Sequence, residues 1–245
     1  MIPRKAIILA GGAGTRLFPV THEIPKPLIT VGRKPIINYL LQLFRDHGVR
    51  EVKIIIRPQD REEFDWWLTR WRRSFSDVTI AFEEELKPMG TIGYTVHFLS
   101  EWVRGEPFFL TNGDELKEVN LTAMTAAHAE GRGLATIALV RVPNPEEYGV
   151  AVLDGPRIIK FLEKPKEPPT NLISSGLYLM EPAALSYLKS HVQNGTEFLM
   201  LEKDLFPQLA LGGKLTAYES AGRWYDCGSF ERWERAIKEW TVQEK

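Results

Sequence analysis

A short apolar segment that runs directly into a glycine-rich turn constrains this chain most. Residues 6–10 are all apolar, which is typical of a buried strand, and the next four residues read Gly-Gly-Ala-Gly. Glycines allow backbone N–H groups to approach a ligand closely, and such turns often hold phosphate groups. Arg16 follows the turn and Lys26 lies between two prolines, so two cations accompany it. The pattern predicts a polyphosphate-binding turn at the end of a strand.

Two common phosphate-binding motifs do not fit this turn. A P-loop requires Lys-Ser or Lys-Thr after its last glycine, and neither follows here. The dinucleotide fingerprint G-x-G-x-x-G would have its third glycine where Leu17 stands. A structural βα turn that is merely rich in glycine is the alternative. Arg16 and the rigid Pro-Lys-Pro segment favour phosphate binding over that alternative.

The composition excludes several classes of protein. With 245 residues, 44% hydrophobic and 26% charged, the chain is an ordinary globular protein of one large domain or two small ones. A net charge of −1 argues against a general nucleic-acid binder. No apolar run approaches the roughly 20 residues that span a bilayer, and no signal peptide is seen. The single cysteine, Cys227, excludes an internal disulfide. We therefore expect a cytoplasmic protein without membrane or nucleic-acid partners.

Strand-like and helix-like segments alternate along the first half of the chain. Strands are predicted over residues 6–10, 52–56, 78–82, 107–110 and 135–140, and helices over 35–47, 60–73, 91–103 and 121–130. This order predicts an α/β fold with a mixed, mainly parallel sheet flanked by helices. Later residues predict a hairpin around Asp154-Gly155, a strand over 172–180, a short helix from Pro182 and a final amphipathic helix over 230–240. We expect a single domain over residues 1–245, divided into halves at 1–145 and 146–245.

Two aspartates are candidate metal ligands. Asp114 ends an apolar strand in the sequence Asn-Gly-Asp, and ligands gather at the carboxyl ends of strands in doubly wound sheets. A carboxylate there suits Mg²⁺, although an Asx turn or a helix cap would use the same residue. Asp226 lies in W-Y-D-C-G-S and is equally suited to capping the last helix. Cys227 is not favoured as a nucleophile, because no histidine is tied to it by spacing.

The early motifs together resemble one enzyme family. G-G-A-G-T-R-L-F-P-V-T, then P-K-P-L, then V-G-R-K-P-I-I-N-Y is similar to the signature of the sugar-nucleotide pyrophosphorylases. These nucleotidyltransferases join a nucleoside triphosphate to a sugar 1-phosphate and release pyrophosphate. The motifs are most similar to those of mannose-1-phosphate guanylyltransferases, with glucose-1-phosphate thymidylyltransferases as near relatives. The resemblance implies a Rossmann-like fold, here without the C-terminal β-helix found behind many relatives.

For the nucleotide, the resemblance implies a site around the glycine turn. Its contacts would come from Leu9, Gly11, Gly12, Gly14 and Thr15. The base would be read at E-E-E-L-K-P-M-G-T, by Glu84 or Glu85 with Gly90. An ionised glutamate only accepts hydrogen bonds, and guanine offers adjacent N1–H and N2–H donors, so GTP is favoured. Some uridylyltransferases also carry glutamate here, and three adjacent acids also suit a solvated strand end.

For the sugar 1-phosphate, three later motifs resemble those of the family. In F-L-E-K-P, Lys164 would hold the phosphate and Glu163 would accept hydrogen bonds from sugar hydroxyls. Y-G-V implies that the backbone of Gly149 lies against the sugar, and N-L-I-S-S-G-L-Y adds Ser175 and Gly176. Read without the resemblance, E-K-P is only a charged strand end that leads into a loop.

The resemblance also implies catalytic roles and a cofactor. Asp226 corresponds to the aspartate of the family's W-x-D-x-G-T, with serine in place of the threonine, and it would join Asp114 in holding one or two Mg²⁺ ions. Arg16, Lys26 and Lys164 would be catalytic. The expected reaction is in-line attack that yields GDP-mannose or a similar sugar; a glucose-1-phosphate thymidylyl- or uridylyltransferase is the alternative. A non-catalytic regulatory subunit is a different alternative, disfavoured because these cations and carboxylates are all present.

An aromatic and basic cluster fits none of these motifs. It comprises Trp66, Trp67, Arg70, Trp71, Arg72 and Arg73. Interleaved aromatic and arginine side chains can bind single-stranded nucleic acid. A simpler interpretation is a helix whose core-facing stripe is Phe64, Trp67, Leu68 and Trp71. Trp66 and the arginines would then face solvent, acidic partners or a second subunit of a homo-oligomer.

Overall fold

The chain forms two compact units, each assembled from three separate stretches. The computed structural model describes residues 1–193 and 195–240. We call residues 6–86, 111–118 and 222–240 the glycine-turn unit, and residues 1–5, 87–110 and 119–221 the hairpin unit. The halves 1–145 and 146–245 stay a prediction about substrate binding; the compact units follow different boundaries.

Thirteen strands and seven α-helices are seen within the described residues. In chain order they are β1 (Lys5–Leu9), α1 (Val20–Glu23), β2 (Thr30–Val31), β3 (Lys34–Pro35), α2 (Ile36–Asp46), β4 (Glu51–Ile56), α3 (Arg61–Trp71), β5 (Thr79–Glu84), β6 (Phe108–Asn112), β7 (Glu115–Lys117), α4 (Leu121–Gly131), β8 (Ala135–Arg141), β9 (Gly149–Asp154), β10 (Arg157–Glu163), β11 (Leu172–Met180), α5 (Pro182–His191), α6 (Phe206–Leu211), β12 (Leu215–Glu219), β13 (Trp224–Asp226) and α7 (Phe230–Glu239). Most elements predicted from periodicity are confirmed to within a few residues. None of the described helices is both long and apolar enough to cross a membrane.

The glycine-turn unit contains strands in the order β5-β4-β1 and a separate β7/β13 ribbon. β4 and β5 are parallel, as the alternation of strands and helices predicted. On α3, Phe64 and Trp67 are buried, and the Trp67 indole Nε1 donates to Asn38 Oδ1 at 2.7 Å. Trp66 is 65% exposed. The predicted core-facing stripe is thus confirmed for Phe64 and Trp67, and Leu68 and Trp71 are half-buried.

The hairpin unit departs from the mainly parallel sheet that was expected. Its strands β11-β8-β12-β10-β9 include one parallel pairing, β8 with β12. The pairings β8/β11, β10/β12, β9/β10 and β9/β11 are all antiparallel. The physical reason begins at the hairpin: a tight turn at Gly155, where φ is 55°, returns the chain beside β9. The prediction of a mixed sheet is confirmed, but most strand pairs in this unit are antiparallel and not parallel.

A second departure lies in residues 91–103, where a full helix was predicted. A shorter helical stretch forms there: Gly93 and Tyr94 are α-helical, Thr95–Leu99 continue as a π-helical turn, and turns flank the stretch on both sides. The backbone before it pairs instead with a distant segment: Leu199 N–H donates to Met89 O at 2.9 Å, and Ile92 N–H donates to Leu199 O at 3.1 Å. This tertiary pairing fixes the first residues outside helical geometry, which periodicity alone does not reveal.

Candidate active site

The glycine turn after β1 is fixed at one end and open at the other. Gly14 has φ of 65°, and a Cβ there would lie 2.8 Å from Thr21 Cγ2, so glycine is required. The Thr21 hydroxyl donates to Gly14 O at 2.8 Å, and Thr15 begins a 3₁₀ turn. At Gly12, which is exposed, a Cβ would meet nothing within 4 Å. The backbone near Gly12 is therefore accessible, as a phosphate site requires.

The Asn-Gly-Asp turn after β6 packs against the end of β1. Gly113 N–H donates to Leu9 O at 2.9 Å. A Cβ at Gly113 would lie 2.7 Å from that same oxygen, so only glycine allows this approach. Asp114 is consequently held next to the strand that carries the glycine turn, and the predicted residues Leu9 and Asp114 are brought together.

Lys26 and Asp114 form an ion pair. Lys26 lies in a short 3₁₀ turn after Pro25, and its buried ammonium donates to Asp114 Oδ2. Burial acts to lower the pKa of Lys26, but the Asp114 carboxylate outweighs it, so the pKa is raised. Burial likewise acts to raise the pKa of Asp114, but Lys26 holds it below the usual value. Both groups are therefore charged, with the lysine oriented by the aspartate.

The second candidate metal ligand, Asp226, lies on the neighbouring strand of the ribbon. β13 runs antiparallel to β7 with Asp226 opposite Glu115, and Cys227 N–H donates to Asp114 O at 3.3 Å. Asp226 Oδ2 accepts a hydrogen bond from Arg232 on α7. The ribbon thus brings the two predicted aspartates together. No group of three or more His, Cys, Asp or Glu side chains suited to a metal lies within the described residues.

Arg16 completes this cluster from the glycine-turn side. A Cβ at Gly228 would lie 2.8 Å from Arg16 Nη2 and 2.6 Å from Asp226 Oδ1, so the missing side chain leaves room for both groups. Arg16 itself is exposed. The structure therefore places Arg16, Lys26, Asp114 and Asp226 around the glycine turn within one unit.

The acidic run at the end of β5 separates into residues with different surroundings. Glu84 Oε1 accepts from Arg61 Nη1 at 2.9 Å. Glu85 N–H donates to Ile56 O at 2.9 Å, and its Oε2 would lie 3.3 Å from a Cβ at Gly11. Of the two candidate base-reading glutamates, Glu85 is therefore the one beside the glycine turn.

In the hairpin unit, the E-K-P motif lies at the end of β10. A Cβ at Gly149 would collide with the Phe161 ring and lie 3.3 Å from Glu163 Oε2, so Phe161 and Glu163 both reach the Gly149 backbone. Lys164 has φ of 48°, and its N–H donates to Tyr148 O at 3.0 Å. Its Nζ lies 3.7 Å from Glu163 Oε1, and its side chain is 65% exposed. This arrangement presents a cation and a carboxylate side by side.

Two further predicted residues, Ser175 and Gly176, lie at an irregularity in β11. The strand register shifts between Ser174 and Tyr178, and Gly176 there has φ of 64°. Ser175 is fully buried, and its hydroxyl donates to Ala138 O at 2.8 Å. The Ser175 side chain thus supports the strand, while its role toward a sugar stays a prediction.

Gly90 lies in the hairpin unit, on the segment that pairs with Leu199. Its φ is 77°, and a Cβ there would collide with the carbonyl oxygen of Leu199. Only glycine therefore allows this turn to sit against that strand-like segment. Its contact with a nucleotide is a prediction.

Several charged residues near the site were not predicted from the sequence. The buried Lys117 Nζ donates to Glu115 Oε2 at 2.8 Å and to Thr111 Oγ1 at 3.0 Å. Burial raises the pKa of Glu115, although Lys117 opposes that shift. Arg232 was missed because its link to Asp226 depends on how α7 packs. Burial and nearby carboxylates raise the pKa of Cys227 to about 12, which is unfavourable for a thiolate nucleophile.

Comparison with known proteins identifies the family. The nucleotidyl transferase family matches residues 5–242 of the sequence. The chain belongs to this family. The resemblance seen in the early motifs is thereby confirmed.

Curated relatives include plant and fungal proteins. Mannose-1-phosphate guanylyltransferase 1 of Arabidopsis thaliana is 33% identical over 231 residues, which cover 91% of this chain and 61% of the relative. Mannose-1-phosphate guanyltransferase of Saccharomyces cerevisiae is 32% identical over 231 residues, with the same coverage. The chain thus spans about three-fifths of the length of these relatives.

Solved structures confirm the fold class. A Bacillus anthracis protein assigned as a glucose-1-phosphate thymidylyltransferase, in complex with sucrose, has a TM-score of 0.85 and 27% identity and covers 96% of this chain and 94% of its own. A UDP-glucose pyrophosphorylase with UDP-glucose has a TM-score of 0.82 at 24% identity and covers 98% of each chain. The chain therefore has a nucleotidyltransferase-type α/β fold.

Proposed function

We propose that this protein is a sugar-1-phosphate nucleotidylyltransferase. It would transfer a nucleoside monophosphate from a nucleoside triphosphate to a sugar 1-phosphate and release pyrophosphate. The observation that carries the proposal is the cluster of Lys26, Asp114, Asp226 and Arg16 around the glycine turn. A regulatory subunit that only binds sugar nucleotides has no need of this paired set of cations and carboxylates.

The glycine-turn unit would bind the nucleotide. The accessible backbone at Gly11 and Gly12 would line it, and Arg16 and Lys26 would neutralise the triphosphate and the departing pyrophosphate. The sugar phosphate oxygen attacks the α-phosphorus in line, and the bond to pyrophosphate breaks. No covalent intermediate on the protein is required, because positioning and charge neutralisation carry nucleotidyl transfer.

The hairpin unit would bind the second substrate. Lys164, exposed and next to Glu163, would hold the phosphate of the sugar 1-phosphate. Glu163 would accept hydrogen bonds from sugar hydroxyls, and the Gly149 backbone lies beside its carboxylate. A charged acceptor and a charged donor on adjacent residues match a ligand that carries hydroxyls at one end and a phosphate at the other.

Magnesium is the proposed cofactor, and the residues present suit it. Mg²⁺ is usually bound by one or two carboxylates together with waters and substrate phosphates. Asp114, in the turn that precedes β7, and Asp226, on β13, supply such a pair, and the low pKa of Asp114 keeps its carboxylate ionised. When bound, the ion would supply charge neutralisation at the phosphates. Lys26 and Arg232 would orient the two carboxylates.

For the two substrates, we favour GTP and mannose 1-phosphate. The Glu85 carboxylate beside Gly11 supplies only acceptors when ionised, which suits guanine N1–H and N2–H. The names of the curated relatives point the same way. Glucose 1-phosphate with a thymidylyl or uridylyl donor is the second candidate, favoured by the name of the B. anthracis protein. We place the reaction in the cytoplasm because the sequence has one cysteine.

A substrate grid tests the proposal. GTP, UTP and dTTP are each paired with mannose 1-phosphate and glucose 1-phosphate in Mg²⁺, with pyrophosphate release and product mass as the readouts. We expect the highest turnover for GTP with mannose 1-phosphate, and an Asp114→Asn variant serves as the inactive control. Turnover with no pair would refute the proposed reaction, whereas a preference for UTP or dTTP would refute only the choice of base.

A further inference from the structure

One acidic residue of the hairpin unit, Glu202, is oriented by a hydrogen bond, and the proposed reaction assigns no role to this residue. The Thr91 hydroxyl donates to Glu202 Oε2 at 2.8 Å and accepts the N–H of Leu201 at 2.8 Å. Thr91 can therefore donate in only one direction, toward Glu202. The Glu202 side chain is half-buried, so it is neither a solvated surface acid nor sealed in the core.

The threonine is itself fixed by the backbone around it. It directly follows Gly90, whose turn packs on Leu199, and it precedes Ile92, whose N–H donates to Leu199 O at 3.1 Å. Two segments more than 100 residues apart thus hold Thr91 and Glu202 in register. A carboxylate fixed so firmly presents its other oxygen in a defined direction.

Packing places Glu202 beside the predicted sugar-binding carboxylate. The rings of Phe161 and Phe206 meet edge to face, with centroids 5.2 Å apart. Glu163 is two residues after Phe161 on β10 and so shares its face, while Glu202 precedes Phe206 by about one helical turn. The turn that carries Glu202 is thus in contact with β10, the strand that ends at Glu163.

The electrostatics agree with that placement. Burial raises the pKa of Glu202; the hydrogen bond from Thr91 opposes this shift, Glu163 adds to it and Lys164 opposes it. Glu202 thus lies within the electrostatic reach of both charged residues of the E-K-P motif. For a ligand whose hydroxyls contact Glu163 and whose phosphate contacts Lys164, Glu202 would be a second hydrogen-bond acceptor nearby.

We propose that Glu202 is a specificity-determining residue that accepts a hydrogen bond from a hydroxyl of the sugar 1-phosphate. Thr91 is its positioning residue. The inference rests on the proposed function, because it assigns the hairpin unit to the sugar substrate. It extends that function by naming a second carboxylate, outside every motif of the sequence, that discriminates among sugars.

Glu202→Gln tests the inference, because the amide keeps the size but loses the charged acceptor. We expect the KM for mannose 1-phosphate to rise about tenfold, as for the loss of a hydrogen bond to a charged group, with the KM for GTP unchanged. Binding of mannose 1-phosphate alone, measured by calorimetry, should weaken by a similar factor. Thr91→Val should reproduce part of this loss and Thr91→Ser should restore it.

Lys203→Gln is the matched control, since Lys203 is the exposed neighbour of Glu202. The inference would be overturned if Glu202→Gln left the KM for mannose 1-phosphate unchanged, or if it raised the KM values for both substrates together. In either case, turnover by the wild type would leave the proposed function standing. If the wild type turns over no substrate pair, calorimetry alone decides: weaker binding by Glu202→Gln supports the inference, and equal binding or none by either protein overturns it.

Discussion

The two lysines of the proposed reaction have very different surroundings. The side chain of Lys26 is 9% exposed and ion-paired with Asp114, whereas that of Lys164 is 65% exposed and lies 3.7 Å from Glu163. Lys26 follows a proline in a short 3₁₀ turn; Lys164 has a positive φ at a strand end. The first is oriented before any ligand binds. The exposed Lys164 side chain still samples several rotamers, so it can adjust to a substrate that carries its own phosphate.

The contrast also separates stability from activity. A buried ion pair is costly to break on one side, because the remaining charge is left without compensation in a poorly solvated place. An exposed pair contributes little to stability, since water and salt screen it. The two lysines should therefore differ in what their loss does to folding, even if both are essential for turnover.

Lys26→Met should have the largest effect. It leaves the partly buried Asp114 carboxylate without its cation, so we expect activity to fall roughly 100- to 1,000-fold and the free energy of unfolding to fall by about 2 kcal/mol. Substrate assays and urea unfolding measure the two effects. A variant that loses activity but keeps wild-type stability would show that the buried pair is not what distinguishes this lysine.

Lys164→Met should affect activity alone. We expect turnover to fall about 100-fold, nucleotide binding to be retained and the free energy of unfolding to change by less than about 0.5 kcal/mol. Lys166→Met, two residues along the same exposed loop, is the matched control and should behave as wild type. Equal losses of turnover and nucleotide affinity in Lys164→Met would contradict the role assigned to it.

Asp226→Asn probes the metal side of the buried cluster. The amide is a weaker Mg²⁺ ligand, so we expect the Mg²⁺ concentration for half-maximal turnover to rise, by about tenfold if about 1.4 kcal/mol of binding is lost. The measurement is a Mg²⁺ titration at saturating substrates. An unchanged Mg²⁺ dependence and rate would remove Asp226 from the proposed metal site.

The smallest effect concerns pH and Glu202. Its pKa in the folded protein is raised above the ordinary 4.5, mainly by burial, so the folded state holds the proton more tightly than the unfolded chain does. The contribution of Glu202 to stability is therefore full below pH 4.5 and is lost as pH rises through the folded pKa. Urea unfolding at several pH values should show this loss in wild type and not in Glu202→Gln. Parallel curves for the two proteins would disprove it.

Local patterns predicted most of the elements, because the buried faces of α2, α3 and the early strands repeat at helical or strand spacing. The glycine turn was also predictable, because its three glycines and the two cations that follow it can be read directly from the sequence. Prediction failed where distant backbone segments meet. Leu199 pairs with the segment around Met89 and with Ile92, and this contact removes the first residues of the helix expected over residues 91–103.

The site residues show the same limit. Asp114 and Asp226 were predicted individually, but the antiparallel β7/β13 ribbon that joins them has no local signal. The buried Lys117 was missed, because a lysine in a polar stretch normally indicates a solvated surface. Glu202 likewise owes its surroundings to packing between segments far apart in the chain.

The β7/β13 ribbon also has a consequence for biosynthesis. The hydrogen bond from Trp224 Nε1 to Glu115 Oε2 joins residues 109 positions apart, and Asp226 reaches Asp114 only when this ribbon pairs. On the ribosome, the glycine turn and Asp114 emerge long before β13 does. The proposed nucleotide-binding turn is therefore synthesised well before the second carboxylate of the proposed metal site. Under the proposed function, catalytic competence would be reached only late in synthesis, and a chain truncated before residue 224 should be inert.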